Sequence, residues 1–270
     1  MISSLLLLAA VTVDANLPAG NIAFERMDGD RVFVHQELRD TKGDWFYWAM
    51  RVTGAEGRTL TFDFTKSVAV GVRGPVVSTD RGKTYAYSAE QGATRKSFTY
   101  TFGPEEQETW FYECLPYTPE MWEEFLAGHA DRRGSVFTTD ALCTSRKGAA
   151  VPRATFGPVD APYRMVLTSR HHCSEAVATY VVEGFAAAYF AEDELGEWLR
   201  RNLRLVVVPF VDYDGSVAGD QGKNRQPLDH NRDYTAFTHP ETKALAACVR
   251  DFRPDVWFDI HCTWHYGDCN

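Results

Sequence analysis

The stretch Leu167-Thr168-Ser169-Arg170-His171-His172-Cys173-Ser174-Glu175 decides how the rest of the chain is read. It follows a short apolar strand pattern, Tyr163 to Leu167, and precedes a long alanine-rich helical pattern, Ala176 to Phe190. His172 and Glu175 therefore fall on the intervening turn, where residues three apart can face the same way. Imidazole nitrogen and carboxylate oxygen are both zinc ligands. A hydrolytic zinc site keeps three protein ligands and one water, so a third ligand must come from elsewhere. His261, at the end of Asp255-Val256-Trp257-Phe258-Asp259-Ile260, is the candidate. A His followed three positions later by Glu also arises by chance. His171, four residues from Glu175, competes with His172 for the role.

Outward from this turn, further patterns follow in one order: Pro209-Phe210-Val211-Asp212-Tyr213-Asp214-Gly215, Gly222-Lys223-Asn224-Arg225, Asp229-His230-Asn231-Arg232-Asp233-Tyr234 and Phe258-Asp259-Ile260-His261. Several matches in one order are far more specific than one. The elements around them alternate. Tyr163 to Thr168, Leu205 to Val211 and Val256 to His261 are strand-like, whereas Glu175 to Phe190 and Glu241 to Phe252 are helix-like, the second bracketed by Pro240 and Pro254. Such alternation predicts an α/β sheet. Ligands of open α/β sheets collect at the carboxyl ends of strands, where His172 and His261 both fall.

The first half reads differently. Val32 and Val34, then Leu60, Phe62 and Phe64, then Phe98, Tyr100 and Phe102 alternate at period two, and Asp28-Gly29-Asp30, Gly54-Ala55-Glu56-Gly57 and Asp80-Arg81-Gly82 mark turns between them. That pattern predicts a small antiparallel β-sandwich. The aromatic run Trp45-Phe46-Tyr47-Trp48 is read as core at strand positions. Thr118 and Pro119 open a short helix that ends near Gly128, a hinge between domains, and His129 to Pro162 is a polar stretch spaced by glycine and proline.

Composition narrows the function classes. With 270 residues, 44% hydrophobic and 24% charged, the chain has room for one large or two modest globular domains. A net charge of −9 without clustered Lys and Arg excludes a broad nucleic-acid surface. Cys114, Cys143, Cys173, Cys248, Cys262 and Cys269 show no paired spacing and are read as free thiols. Leu5 to Ala10 has the apolar centre of a signal peptide, with Val13 and Ala15 suiting cleavage, but no Lys or Arg precedes Arg26. The expected compartment is cytoplasmic, with export the alternative if residues 1–15 form a leader. No other stretch approaches a membrane-spanning length, so no membrane partner is expected.

With these motifs in place, the second half resembles the N-terminal part of a zinc carboxypeptidase domain. With its leading β domain and Leu115-Pro116-Tyr117-Thr118 junction, the whole chain resembles the cytosolic-carboxypeptidase subgroup and its bacterial relatives. The resemblance implies an N-terminal β-sandwich over 1–117, a linker helix over 118–130 and the first portion of an α/β zinc-carboxypeptidase-like domain over 131–270. It implies one Zn2+ per chain, held by His172, Glu175 and His261, the two-histidine, one-glutamate set of carboxypeptidase A. By the same resemblance Arg225 polarises the scissile carbonyl and stabilises the oxyanion, and Asn231 and Arg232 grip the terminal carboxylate of a peptide or protein substrate. The chemistry agrees: a planar guanidinium meets a carboxylate with two parallel hydrogen bonds.

The plainer roles stand beside these. His171 is expected to be structural, Cys173 and Cys262 small thiols beside the site, Asp259 an orienting carboxylate or a strand end, and His230 and His265 background histidines. In the family a glutamate on a later strand is the general base, yet only nine residues follow His261, none of them Glu, and Asp268 does not match. The sequence is therefore expected to be an incomplete, inactive copy of a longer enzyme. A deacylase of small acyl-amino acids and a non-catalytic zinc- or peptide-binding remnant are the competing readings.

Overall fold

The computed structural model describes residues 10–43, 45–88 and 94–262. The expectations placed on Leu5, His265, Asp268 and Cys269 lie outside these residues. The described residues form two compact units, one of 10–38 with 45–88 and 94–115, the other of 39–43 with 116–262.

In the first unit, strands β1 (Thr12–Asp14), β2 (Ala23–Asp28), β3 (Arg31–His35), β4 (Ala49–Thr53), β5 (Thr59–Phe64), β6 (Val76–Ser78), β7 (Ala86–Tyr87), β8 (Ser97–Thr101) and β9 (Glu108–Tyr112) build two sheets. Their orders are β1-β4-β9-β6-β7 and β2-β3-β5-β8. Period-two alternation explains the shared core: Leu60, Phe62 and Phe64 of β5 are buried and meet Met50, Val52 and Phe111 from the other sheet. Trp48 stacks on Phe98 at 5.8 Å and donates its indole N–H to the Ala69 carbonyl. Trp45, Tyr47 and Trp48 are core, as expected, although β4 begins only at Ala49. The sheets are not wholly antiparallel, since β3 and β5 run parallel. The intervening β4 belongs to the other sheet, so the chain returns to the first one in the same direction.

Glu113, just after β9, is 3% exposed, and burial pushes its carboxyl up to about 8. A folded-state pKa raised in this way gives stability that is complete below the ordinary glutamate range and lost as pH rises through about 8. The loss is up to a few kcal/mol at about 1.4 kcal/mol per pH unit. The urea midpoint should therefore fall between pH 5 and pH 8.5, and Glu113→Gln should remove most of the fall. An equal fall in both proteins would mean that another group carries it.

In the second unit, β10 (Phe137–Thr144), β11 (Ala150–Phe156), β12 (Tyr163–Ser169), β13 (Leu203–Val208) and β14 (Val256–Ile260) form one sheet in the order β10-β11-β13-β12-β14. Its helices are α1 (Pro119–Ala127), α2 (Val177–Ala187), α3 (Glu194–Asn202), α4 (Tyr213–Ala218) and α5 (Pro240–Phe252). The expected βα alternation holds for β12, β13 and β14, which are mutually parallel. The stretch read as a polar connection instead contains the β10–β11 hairpin, which joins β13 antiparallel and makes the sheet mixed. Thr118 caps α1 by accepting from the Met121 N–H, and Gly128 ends it. No helix among the described residues is long and apolar enough to cross a membrane. Among the described residues, Cys114, Cys143, Cys173, Cys248 and Cys262 are not joined in disulfides.

Register positions the site. Ser169 of β12 lies opposite Ile260 of β14, so the residues following both strands emerge side by side.

Candidate metal centre

Immediately after β12, Arg170 takes left-handed backbone, φ 62, and turns the chain. Its guanidinium donates to the carbonyls of Cys173 (2.6 Å) and Tyr117 (3.1 Å), and the Glu175 N–H donates to the His172 carbonyl. The closed turn sets His172 Nδ1 2.9 Å from Glu175 Oε1. From the end of β14, His261 Nδ1 comes within 2.7 Å of Glu175 Oε2. Two imidazole nitrogens that follow separate strands thus face the two oxygens of one buried carboxylate. Burial would raise the Glu175 pKa, but His172 and His261 hold it down at about 2. Asp259 and Glu175 raise that of His261 to about 10.

A carboxylate fixes the outer edge of one candidate ligand ring. His261 Nε2 lies 2.7 Å from Asp259 Oδ2, the arrangement that sets tautomer and ring orientation in metal-binding histidines. The other Asp259 oxygen meets His171 Nδ1 at 2.8 Å, and His171 Nε2 meets the Tyr234 hydroxyl at 2.5 Å. Both nitrogens of His171 are thereby engaged. His172 Nε2 is buried without a hydrogen-bond partner and has Asp229 Oδ1 at 4.0 Å. Asp229 also accepts from Arg232 Nη1 at 2.7 Å, so one carboxylate stands between a candidate ligand and a candidate substrate-binding residue. The Arg232 side chain is 55% exposed, and Asn231 is exposed beside it.

Three groups of His and carboxylate ligand atoms lie within 4.8 Å among the described residues: His172–Glu175–His261, His171–Asp259–His261 and His230–His239–Glu241. In the third, the imidazoles are stacked at 3.9 Å and 14°, so their lone pairs lie in nearly parallel planes and do not converge on one ion. The second shares His261 with the first and differs in its other imidazole, since His171 has partners on both nitrogens whereas His172 Nε2 has none. The first set has the donor types and convergence that zinc takes.

Arg225 is buried beside this turn. Its guanidinium is paired with Asp212 through Nη1, with Asp220 through Nη2 at 2.8 Å and with Asp40 at the Nε edge at 2.8 Å. Burial alone would raise the Asp212 pKa, but His230 and Arg225 hold it at about 2. Two glycines make the approach possible. A Cβ on Gly215 would lie 2.6 Å from Asp212 Oδ2 and Cys173 Sγ and 2.9 Å from Arg225 Nη2. One on Gly222, φ +77, would lie 2.5 Å from the Cys173 backbone nitrogen. Cys173 is a buried thiol donating to the Asp220 carbonyl, with its pKa pushed up mainly by burial. Sequence reasoning quoted Asp212 and Asp229 inside motifs without giving them roles, and missed Asp220 and Asp40. Asp40 lies in a local context that carries no signal.

No family model matches the chain. A Pseudomonas aeruginosa metallocarboxypeptidase, solved in complex with (2-guanidinoethylmercapto)succinic acid, superposes with a TM-score of 0.79 at 20% identity, over 93% of this chain and 70% of that one. The chain has a metallocarboxypeptidase fold. An uncharacterized protein of Zymomonas mobilis is 25% identical over 260 residues, 92% of this chain and 67% of that protein. Mouse cytosolic carboxypeptidase 3 is 25% identical over 246 residues, 79% of this chain but only 23% of its own length. The resemblance read from the motifs, to a zinc carboxypeptidase-like family with bacterial relatives, is borne out. Within the metallocarboxypeptidase fold, the described residues are mostly β, in three sheets.

Proposed function

We propose that this chain carries the zinc-binding part of a metallocarboxypeptidase that removes C-terminal residues from peptides or proteins. The observation that supports it most directly is the facing of His172 Nδ1 and His261 Nδ1 onto the Glu175 carboxylate. A bound zinc ion supplies Lewis acidity and a water made nucleophilic near neutral pH. The remaining work belongs to side chains. His172, Glu175 and His261 hold the ion, and Asp259 orients His261. Arg225, whose pairing with Asp212 and Asp220 takes one N–H of each terminal nitrogen, keeps a second N–H on each for a carbonyl oxygen that gathers charge. Arg232 and Asn231, both exposed, are suited to a substrate α-carboxylate. The general base is unassigned: Asp259 is engaged by His171 and His261, and Asp229 by Arg232.

The test is to express the longest reading frame containing this sequence and assay C-terminal residue release from a mixed peptide panel, with and without a zinc chelator. One zinc per chain and chelator-sensitive release are expected. Hydrolysis of N-acyl amino acids without peptide cleavage would establish the deacylase reading instead. Full zinc occupancy with no release from either substrate class would leave only a binding role.

A further inference from the structure

We propose that residues 39–43 act as a strap that positions Arg225, with Asp40 as the positioning residue. The proposal rests on the reading of Arg225 as the group that meets the substrate carbonyl. The described residues on either side of the strap, 10–38 and 45–88, belong to the first unit, yet the strap itself packs as part of the second. Arg225 lies between α4 and α5 on a long connection without a helix or strand of its own at that point, so its backbone must be fixed from outside. The strap does this. Thr41 pairs with Arg225 in an antiparallel bridge, the Gln226 N–H donates to the Asp40 carbonyl at 2.8 Å, and the Lys42 N–H donates to the Asn224 carbonyl at 3.3 Å.

Side chains extend the same contact. Arg39 Nη1 donates to Asp220 Oδ1 and to the Ala218 carbonyl, both at 2.6 Å. Asp220 is thereby held between Arg39 of the strap and Arg225, whose Nη2 it accepts from. Asp40 Oδ2 lies 2.8 Å from Arg225 Nε, and the Nε–H is not aimed at it; Nε is buried without an aligned acceptor. The pair at this edge is therefore an ion pair rather than a finished hydrogen bond. Its geometry still decides orientation. A planar guanidinium held at Nη1 and Nη2 alone can rock about the line joining them, and a charge at the third edge stops the rocking. Both partners come off strained backbone: Arg39, φ 51, and Asn224, φ 52, are left-handed and immediately precede Asp40 and Arg225.

The experiment compares wild type, Asp40→Ala, Asp40→Asn, Asp40→Glu and Arg225→Lys in the zinc-loaded full-length protein. Three quantities are read: zinc per chain, affinity for a dipeptide phosphonate that mimics the tetrahedral oxyanion, and affinity for the matching free amino acid. Asp40→Ala and the shape-preserving Asp40→Asn should weaken the phosphonate about 3-fold, the scale of an ion pair whose carboxylate is 39% exposed. Zinc content and amino-acid affinity should stay unchanged, and Asp40→Glu should recover most of the loss. A purely structural defect would lower all three readouts together, which overturns the proposal. If Arg225→Lys loses phosphonate affinity while both Asp40 variants keep it, the strap idea alone fails. If the zinc-loaded wild type does not bind the phosphonate, the carboxypeptidase reading fails and the proposal with it.

Discussion

Glu175→Ala is expected to lower zinc affinity by about two orders of magnitude. Sharing the roughly 10–16 kcal/mol of a four-ligand structural site evenly gives about 3 kcal/mol per ligand. Glu175 is also the carboxylate that both candidate imidazoles face, at 2.9 and 2.7 Å, so its loss leaves the two rings without the group between them. Competition against a chromophoric chelator measures this directly. His172→Ala and His261→Ala should behave alike. His171→Ala should cost less, about 10-fold, because His171 acts on His261 only through Asp259. If His171→Ala removed the metal as completely as His172→Ala, the ligand assignment would be wrong.

Arg225→Met should destabilise the fold by roughly 3–5 kcal/mol, the usual consequence of removing one partner from a buried ion pair. The Arg225 and Asp212 side chains are each 1% exposed, so solvent cannot take over the lost partner's role. The pH dependence identifies the cause. Asp212 is held at about 2, below its unfolded value, so its contribution is present above the ordinary carboxylate range and lost as pH falls through about 2. Without Arg225 the stranded carboxylate gains a proton more readily. The stability gap between wild type and variant should therefore narrow from pH 7 to pH 4 in urea titrations. A gap independent of pH would place the loss in packing rather than in charge.

Much of this was legible in the chain because its signals are local. Period-two alternation marked β5 and β8, the apolar runs marked β12, β13 and β14, and the Thr118-Pro119 pair marked the start of α1. The β10–β11 hairpin was not legible. Pro152 sits inside β11, and β10 exposes Thr138, Asp140 and Ala141, so neither strand shows an apolar stripe. Helix α3 was passed over although Asp193 caps it and Leu195, Trp198 and Leu199 recur at helical spacing. At the site, His172 and Glu175 could be paired by spacing because one turn holds them. Asp229 could not be placed against His172, nor Asp40 against Arg225, because no rule of sequence spacing relates residues brought together only by tertiary folding.

The path of residues 39–43 also limits how this protein can be taken apart. The chain enters the second unit at Arg39, goes back to the first after Gly43, and enters the second again after Leu115. The second unit is therefore not one contiguous stretch of gene. A recombination that joined residues from 116 onward to a foreign β unit would discard Arg39 and Asp40 along with the old partner, leaving Asp220 and Arg225 without them. A replacement β unit would keep these contacts only if it brought an equivalent five-residue insertion.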